Sequence, residues 1–180
     1  MNHDPVTVRW NAEFLCHELH CSTVSPLRAE ETFAFFSDAL NLEAMTPPWL
    51  QFRVVTPQPV QIHKGALIDY RLRLHGVPFK WRTEITSWEP CSSFTDRQVF
   101  GPYRMWEHTH TFREQDGQTF VEDVVRYRVP LGRVVNRFFV EREVKRIFEY
   151  RQEQLVPLLL DYQKTCGEHA DAESEPVAAG

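Results

Sequence analysis

Apolar and polar residues alternate with a period of two along the middle of this chain. Between residues 66 and 74, Ile68, Tyr70, Leu72 and Leu74 fall on one side and Asp69, Arg71 and Arg73 on the other. This is the pattern of a strand with one covered face. His75-Gly76 reads as a two-residue hairpin turn. The turn pairs Leu74 with Val77, Leu72 with Phe79, Tyr70 with Trp81 and Ile68 with Thr83, so inward positions meet inward positions. On the outer face it pairs Asp69 with Arg82. Alternation continues over 77–88, 94–100, 104–113 and 119–129, with a turn at Gly101-Pro102-Tyr103 and a type I′ signal at Asp116-Gly117.

After Pro130 and Gly132 the period becomes helical. Val135, Phe138, Val144, Ile147, Phe148, Arg151, Leu155, Leu158, Leu159 and Tyr162 recur at threes and fours, which predicts one long amphipathic helix or two in series, kinked by Pro157. Upstream, 14–23 reads as a strand. Ser25-Pro26 starts a helix that runs to about residue 39, and a short turn or helix at 42–45 stops at Pro47-Pro48. Residues 49–55 form a second strand, and 56–65 a proline-rich loop. The order is strand, two helices, six strands, long helix. The expected fold is therefore α+β: a curved, antiparallel, seven-stranded sheet around the C-terminal helix, with a cavity between them. One domain over 13–163 is expected, with a loose arm at 1–12 and a small, acidic, disordered tail at 167–180.

Composition narrows the class. The 13% aromatic share suits a fold with a lined interior, and a formal net charge of -5 removes bulk attraction to nucleic acid or anionic membrane. No apolar run is long enough to span a bilayer, and the first residues lack a signal-peptide pattern. A cytoplasmic protein that does not insert into membranes is expected. Cys16, Cys21, Cys91 and Cys166 show no metal-binding spacing and read as buried, reduced thiols.

Parity places chemistry on one sheet face. The two later turns pair His110 with Asp123 and Trp106 with Tyr127. They also pair Gln98 with Trp106, Asp96 with His108 and Phe94 with His110. Each histidine thus gains a carboxylate neighbour whose Cβ lies about 4.5–5.5 Å away. Tyr70, Trp81, Asp96, Gln98, Arg104, Trp106, His108, His110 and Tyr127 are the candidate ligand-binding residues, with Asp123 as a further polar anchor. If the protein is an enzyme, His108, His110, Asp96 and Asp123 are the candidate acid–base groups, and Arg104 or Tyr70 would steady an oxyanion. His-x-His on a strand can begin a metal site with Asp96 or Asp123 as third ligand. Two histidines alone are a weak motif, and the sequence assigns neither metal nor cofactor. The bland alternative is that the Asp and His side chains only satisfy each other.

The runs TPPWL (46–50), GALIDYRLRLHGVPFKWRTEI (65–85), FTDRQVFGPYRMWEHTHTF (94–112) and RIFEYRQEQL (146–155) resemble the SRPBCC superfamily. This is the helix-grip fold of START domains, the birch-pollen allergen and polyketide cyclases. Within it, the chain is similar to the bacterial group of ligand-binding, cyclase/dehydrase-like members. The resemblance implies a deep cavity for a hydrophobic or amphipathic small molecule and brings no metal. It does not imply one reaction, because the fold hosts carriers, sensors, cyclases and hydrolases. Three expectations follow: a small-molecule binder, a cyclase, dehydratase or hydrolase using a His–Asp pair, or a module that docks a partner enzyme.

Overall fold

The computed structural model describes residues 3–60, 62–130 and 132–173, with side chains described as far as Thr165. Eight strands form one antiparallel sheet in the order β1-β2-β8-β7-β6-β5-β4-β3. They are β1 (His3–Asn11), β2 (Cys16–Ser25), β3 (Arg53–Val54), β4 (Leu67–Leu74), β5 (Val77–Glu89), β6 (Ser93–Phe100), β7 (Met105–Gln115) and β8 (Gln118–Arg128). Helices α1 (Ala29–Phe36) and α2 (Ala39–Met45) lie between β2 and β3. After β8 come α3 (Gly132–Val135), one π-helical turn (Asn136–Val140) and the 33-residue α4 (Glu141–Glu173). This is the helix-grip arrangement.

The hairpin registers follow from turn chemistry. His75-Gly76 and Asp116-Gly117 both take positive φ at each residue, as type I′ turns require. They set Leu74 against Val77, Tyr70 against Trp81, Gln115 against Gln118 and His110 against Asp123. Asp69 and Arg82 meet on the outer face with a 2.7 Å contact. Inward residues of β7 and β8 then pack on α1 and α4: Phe33, Phe36, Phe94, Phe112, Val121, Leu155 and Leu159 form one buried cluster. Val125, Tyr127, Val144 and Phe148 belong to a second.

Several expectations are corrected. The arm at 1–12 is in fact largely β1. It pairs with β2 and buries Val6, and the amide of Gln152 on α4 donates to the carbonyls of both Asp4 and Ser22 at 2.8 Å. The sheet therefore has eight strands. Ser25 does not start a helix. It ends β2, its hydroxyl accepts from the Leu27 amide, and α1 begins at Ala29. Ser37 ends α1, and Asp38 caps a separate α2. Residues 49–55 supply only a 3-10 turn (Pro48–Leu50) and the two-residue β3. The turn after β6 is wider than three residues, and the β6–β7 pairing stops at Arg97 with Glu107. Phe138 is exposed rather than inward, and so is Cys91. Cys16 and Cys21 are buried free thiols, while the side chain of Cys166 lies outside the described residues. The first part of the expected tail continues α4 to Glu173, and 174–180 lie outside the described residues. Among the described residues no helix is long and apolar enough to cross a membrane.

Candidate functional site

The curvature leaves a cavity of about 180 Å³ between β4–β7, α2 and α4. Its walls are mainly apolar, including Ala39, Leu42, Leu72, Ile85 and Phe148, and one wall carries a polar cluster. That cluster grows out of two ladders. Asp96 lies opposite His108 across β6 and β7, and His110 lies opposite Asp123 across β7 and β8. Alternation puts all four side chains on the inner face.

The side chains do not form two separate couples. Asp123 takes both imidazoles: His108 Nε2 donates to its Oδ1 at 2.9 Å, and His110 Nδ1 stands 2.7 Å from the same oxygen, outside hydrogen-bonding angle. Asp96 Oδ2 lies 3.6 Å from His108 Nδ1 and 3.8 Å from His110 Nε2. Thr83 Oγ1 donates to the other Asp96 oxygen at 3.0 Å. From α4, Arg151 brings its Nε to 3.8 Å from Asp123 Oδ2 and sets its guanidinium over the Phe36 ring. Both histidines, Asp123 and Arg151 are buried, while Asp96 keeps some exposure.

This packing sets the charge states. Burial, then neighbouring His110, pushes His108 down to about 4 against the pull of Asp123 and Asp96, so its imidazole is neutral at pH 7. Burial alone would raise Asp123, but Arg151, His110 and His108 outweigh it and hold the carboxyl well below its usual range. Asp96 is likewise lowered, burial being outweighed by His110, His108 and Thr83. Burial, with Asp96 and Asp69, keeps the Tyr70 phenol protonated.

The structure brings Tyr70, Trp81, Asp96, Trp106, His108 and His110 together at the cavity. Asp123 stands behind the histidines and orients them. Three other candidates lie elsewhere. Gln98 braces the loop after β6, donating to the Tyr103 carbonyl at 2.7 Å and accepting from its amide at 3.3 Å. Tyr127 is fully buried and stacks on His17. Arg104 lines a different cleft with His17, Arg128 and Arg133, immediately before β7, where its amide donates to the Arg128 carbonyl at 2.9 Å. Three contributors escaped the sequence reading. Arg151 sat as one charge in an apolar helical stripe, which was its signal. Thr83 sat inward on β5 opposite Ile68. Tyr103, read as a turn residue, lines the cavity. Asp96, His108 and His110 also offer donor atoms that all lie within 4.8 Å of one another, a set able to hold a metal ion.

A family model described as polyketide cyclase / dehydrase and lipid transport matches residues 25–156. Solved structures share the fold at low identity. A protein of Mycobacterium smegmatis, Ms6760, is 20% identical over 87% of this chain and 99% of its own, with a TM-score of 0.63. The ZhuI aromatase/cyclase from Streptomyces sp. R1128 is 11% identical over 80% of this chain and 93% of its own, with a TM-score of 0.64. The protein Ara h 8.0201 is 14% identical over 81% of this chain and 99% of its own, with a TM-score of 0.58. No curated protein matches the sequence.

Proposed function

Because the chain belongs to the polyketide cyclase / dehydrase and lipid transport family, we propose that it binds a small hydrophobic or amphipathic molecule in the cavity between sheet and α4. The observation that carries this reading is the cavity itself, mainly apolar, with a cluster of polar side chains at Asp96, His108 and His110. Such a lining holds the body of a ligand by burial and fixes its orientation through a few polar atoms. Its volume is close to that of an engineered cavity of about 150 Å³ that takes benzene. A ligand of one or two rings, carrying a hydroxyl or carbonyl toward the histidines, fits this space.

Isothermal titration with 1-naphthol tests the proposal. Saturable one-to-one binding is expected, reduced at least about tenfold in Ile85→Trp, which narrows the space. No binding of 1-naphthol, or of any member of a panel of one- and two-ring phenols and enones, would refute it. Native mass spectrometry of the purified chain should also find a small co-purifying molecule.

A second reading, a cyclase, dehydratase or hydrolase, is favoured by one detail: two imidazoles held by one carboxylate face the cavity. His108 is held neutral far down the pH scale and is a poor proton acceptor, which leaves His110 as the candidate base. Turnover of an aromatic polyketide or ester panel, abolished by His110→Ala, would support this reading. The open cavity works against the docking-module reading, which needs a filled interior. A bacterial, cytoplasmic setting belongs to the proposal, and the free thiols of Cys16, Cys21 and Cys91 are compatible with it.

A further inference from the structure

Asp96 and Asp123 flank the His108–His110 pair, and the buried guanidinium of Arg151 faces Asp123. Carboxylates taken out of water need partners, and these two differ in theirs. The geometry shows the difference. On one side, Asp123 Oδ1 lies 2.9 Å from His108 Nε2 and 2.7 Å from His110 Nδ1. On the other, His108 Nδ1 and His110 Nε2 both turn to Asp96 Oδ2, at 3.6 and 3.8 Å. Those separations are too long for hydrogen bonds. Two donors on a tetrahedral zinc ion, each at about 2.0–2.1 Å, stand roughly 3.3–3.4 Å apart. The two carboxylate–imidazole separations are a few tenths wider than that, and all three donor atoms lie within 4.8 Å of one another.

We propose that Asp96, His108 and His110 form a binding site for a divalent transition-metal ion, with Asp123 orienting both imidazoles from behind. Two histidines and one carboxylate are a donor set shared by hydrolytic zinc sites and by the facial iron triad. Each histidine coordinates through the nitrogen facing Asp96 and directs its other nitrogen to Asp123, the arrangement that fixes tautomer and ring orientation in metal sites. Thr83, bonded to Asp96 Oδ1, leaves Oδ2 to face the ion. The three ligands border the cavity, so the remaining coordination positions open onto it. The sequence offered either Asp96 or Asp123 as third ligand beside His-x-His, and the geometry chooses Asp96. The third donor comes from β6, and the orienting carboxylate from β8. This site goes beyond the cavity-binding reading and does not depend on it, since the ion binds whether or not the apolar space is filled.

The full chain, stripped with EDTA and dialysed, would be titrated with Zn²⁺ and Co²⁺ alone, and anaerobically with Fe²⁺. About one ion per chain is expected by elemental analysis, together with a Co²⁺ ligand-field spectrum. Asp96→Ala and His110→Ala should weaken Zn²⁺ binding by about 100-fold or more. Asp123→Asn, which removes no ligand, should weaken it by about 10–100-fold and shift the Co²⁺ spectrum. His20→Ala, on the outer surface beside Glu18, should change nothing. Circular dichroism checks folding, and Asp96→Asn is the isosteric substitute if a larger change unfolds the chain. Whether the tighter ion is Zn²⁺ or Fe²⁺ names the metal, and either result supports the site. No stoichiometric binding of any of the three ions would overturn it, as would Zn²⁺ binding that survives Asp96→Ala and His110→Ala. A chain that binds 1-naphthol but no metal refutes this site and leaves the cavity reading standing.

Discussion

Asp123 is the residue on which the inner face depends. Its carboxylate is buried, accepts from His108, touches His110 and faces Arg151. Removing it strands a buried guanidinium and takes an acceptor from two imidazoles. Asp123→Ala should therefore cost about 3–5 kcal/mol in urea unfolding at pH 7. A loss under about 1 kcal/mol would mean that the cluster adds nothing to stability. His17, on the neighbouring strand β2, gives a pH dependence. Asn136 donates to its Nδ1 at 3.1 Å, Trp10 and Tyr127 flank its ring, and its Nε2 has no partner. Arg133 and Glu141 act on it electrostatically, and Arg104 and Arg128 share its cleft. Burial, aided by Arg133 and opposed by Glu141, lowers its pKa from the usual 6.5. Below that value the unfolded chain takes up a proton that the folded chain resists, so stability is lost as the pH falls from 6.5 toward the folded value. His17→Phe should lose less stability than the native chain between pH 7 and pH 5, and parallel profiles would refute the assignment. At this scale the sequence was only half legible. Register predicts which Cα atoms face each other, but not that His108 reaches diagonally to Asp123. Nor does one arginine in an apolar helical stripe announce its carboxylate.

At the scale of elements, the β6–β7 connection shows how backbone geometry reaches the cavity. A Cβ on Gly101 would collide with the side-chain carbonyl of Gln98. That same amide holds Tyr103 by two hydrogen bonds, and Tyr103 packs between Trp81 and Trp106 at the cavity wall. Gly101→Ala should displace Gln98, loosen Tyr103 and weaken 1-naphthol binding about tenfold, the worth of one or two lost hydrogen bonds. Combining it with Gln98→Ala should add little, because both changes remove one brace. Equal and additive losses in titration would show that the two act separately. Hairpins in this chain were readable because strict alternation and left-handed turn residues specify the same register. Strand β1 was not. An edge strand buries little, here Val6 alone among its nine residues, so its alternation is faint, and Pro5 is tolerated only because the edge needs no ladder donor there. Ser25-Pro26 misled for a related reason: a serine hydroxyl satisfies a free amide at a strand end as well as at a helix start.

At the scale of the molecule, the cavity is a place where sheet and helix could have closed but do not. Ala39, at the start of α2, is buried and lines that space with only a methyl group. A leucine there would place three more carbons into that space, replacing empty volume with van der Waals contact. Cavity filling of this kind commonly stabilises by about 0.5–2 kcal/mol. If the space exists to hold a ligand, Ala39→Leu should raise the unfolding free energy within that range while abolishing 1-naphthol binding. The proposed metal ligands come from β6 and β7 and not from α2, so Zn²⁺ affinity should stay within about twofold of the native chain. Urea unfolding, naphthol titration and Zn²⁺ titration on this one variant separate the three properties. A more stable chain that still binds naphthol would place the ligand elsewhere. A chain that loses both naphthol and Zn²⁺ would show that the two sites are one.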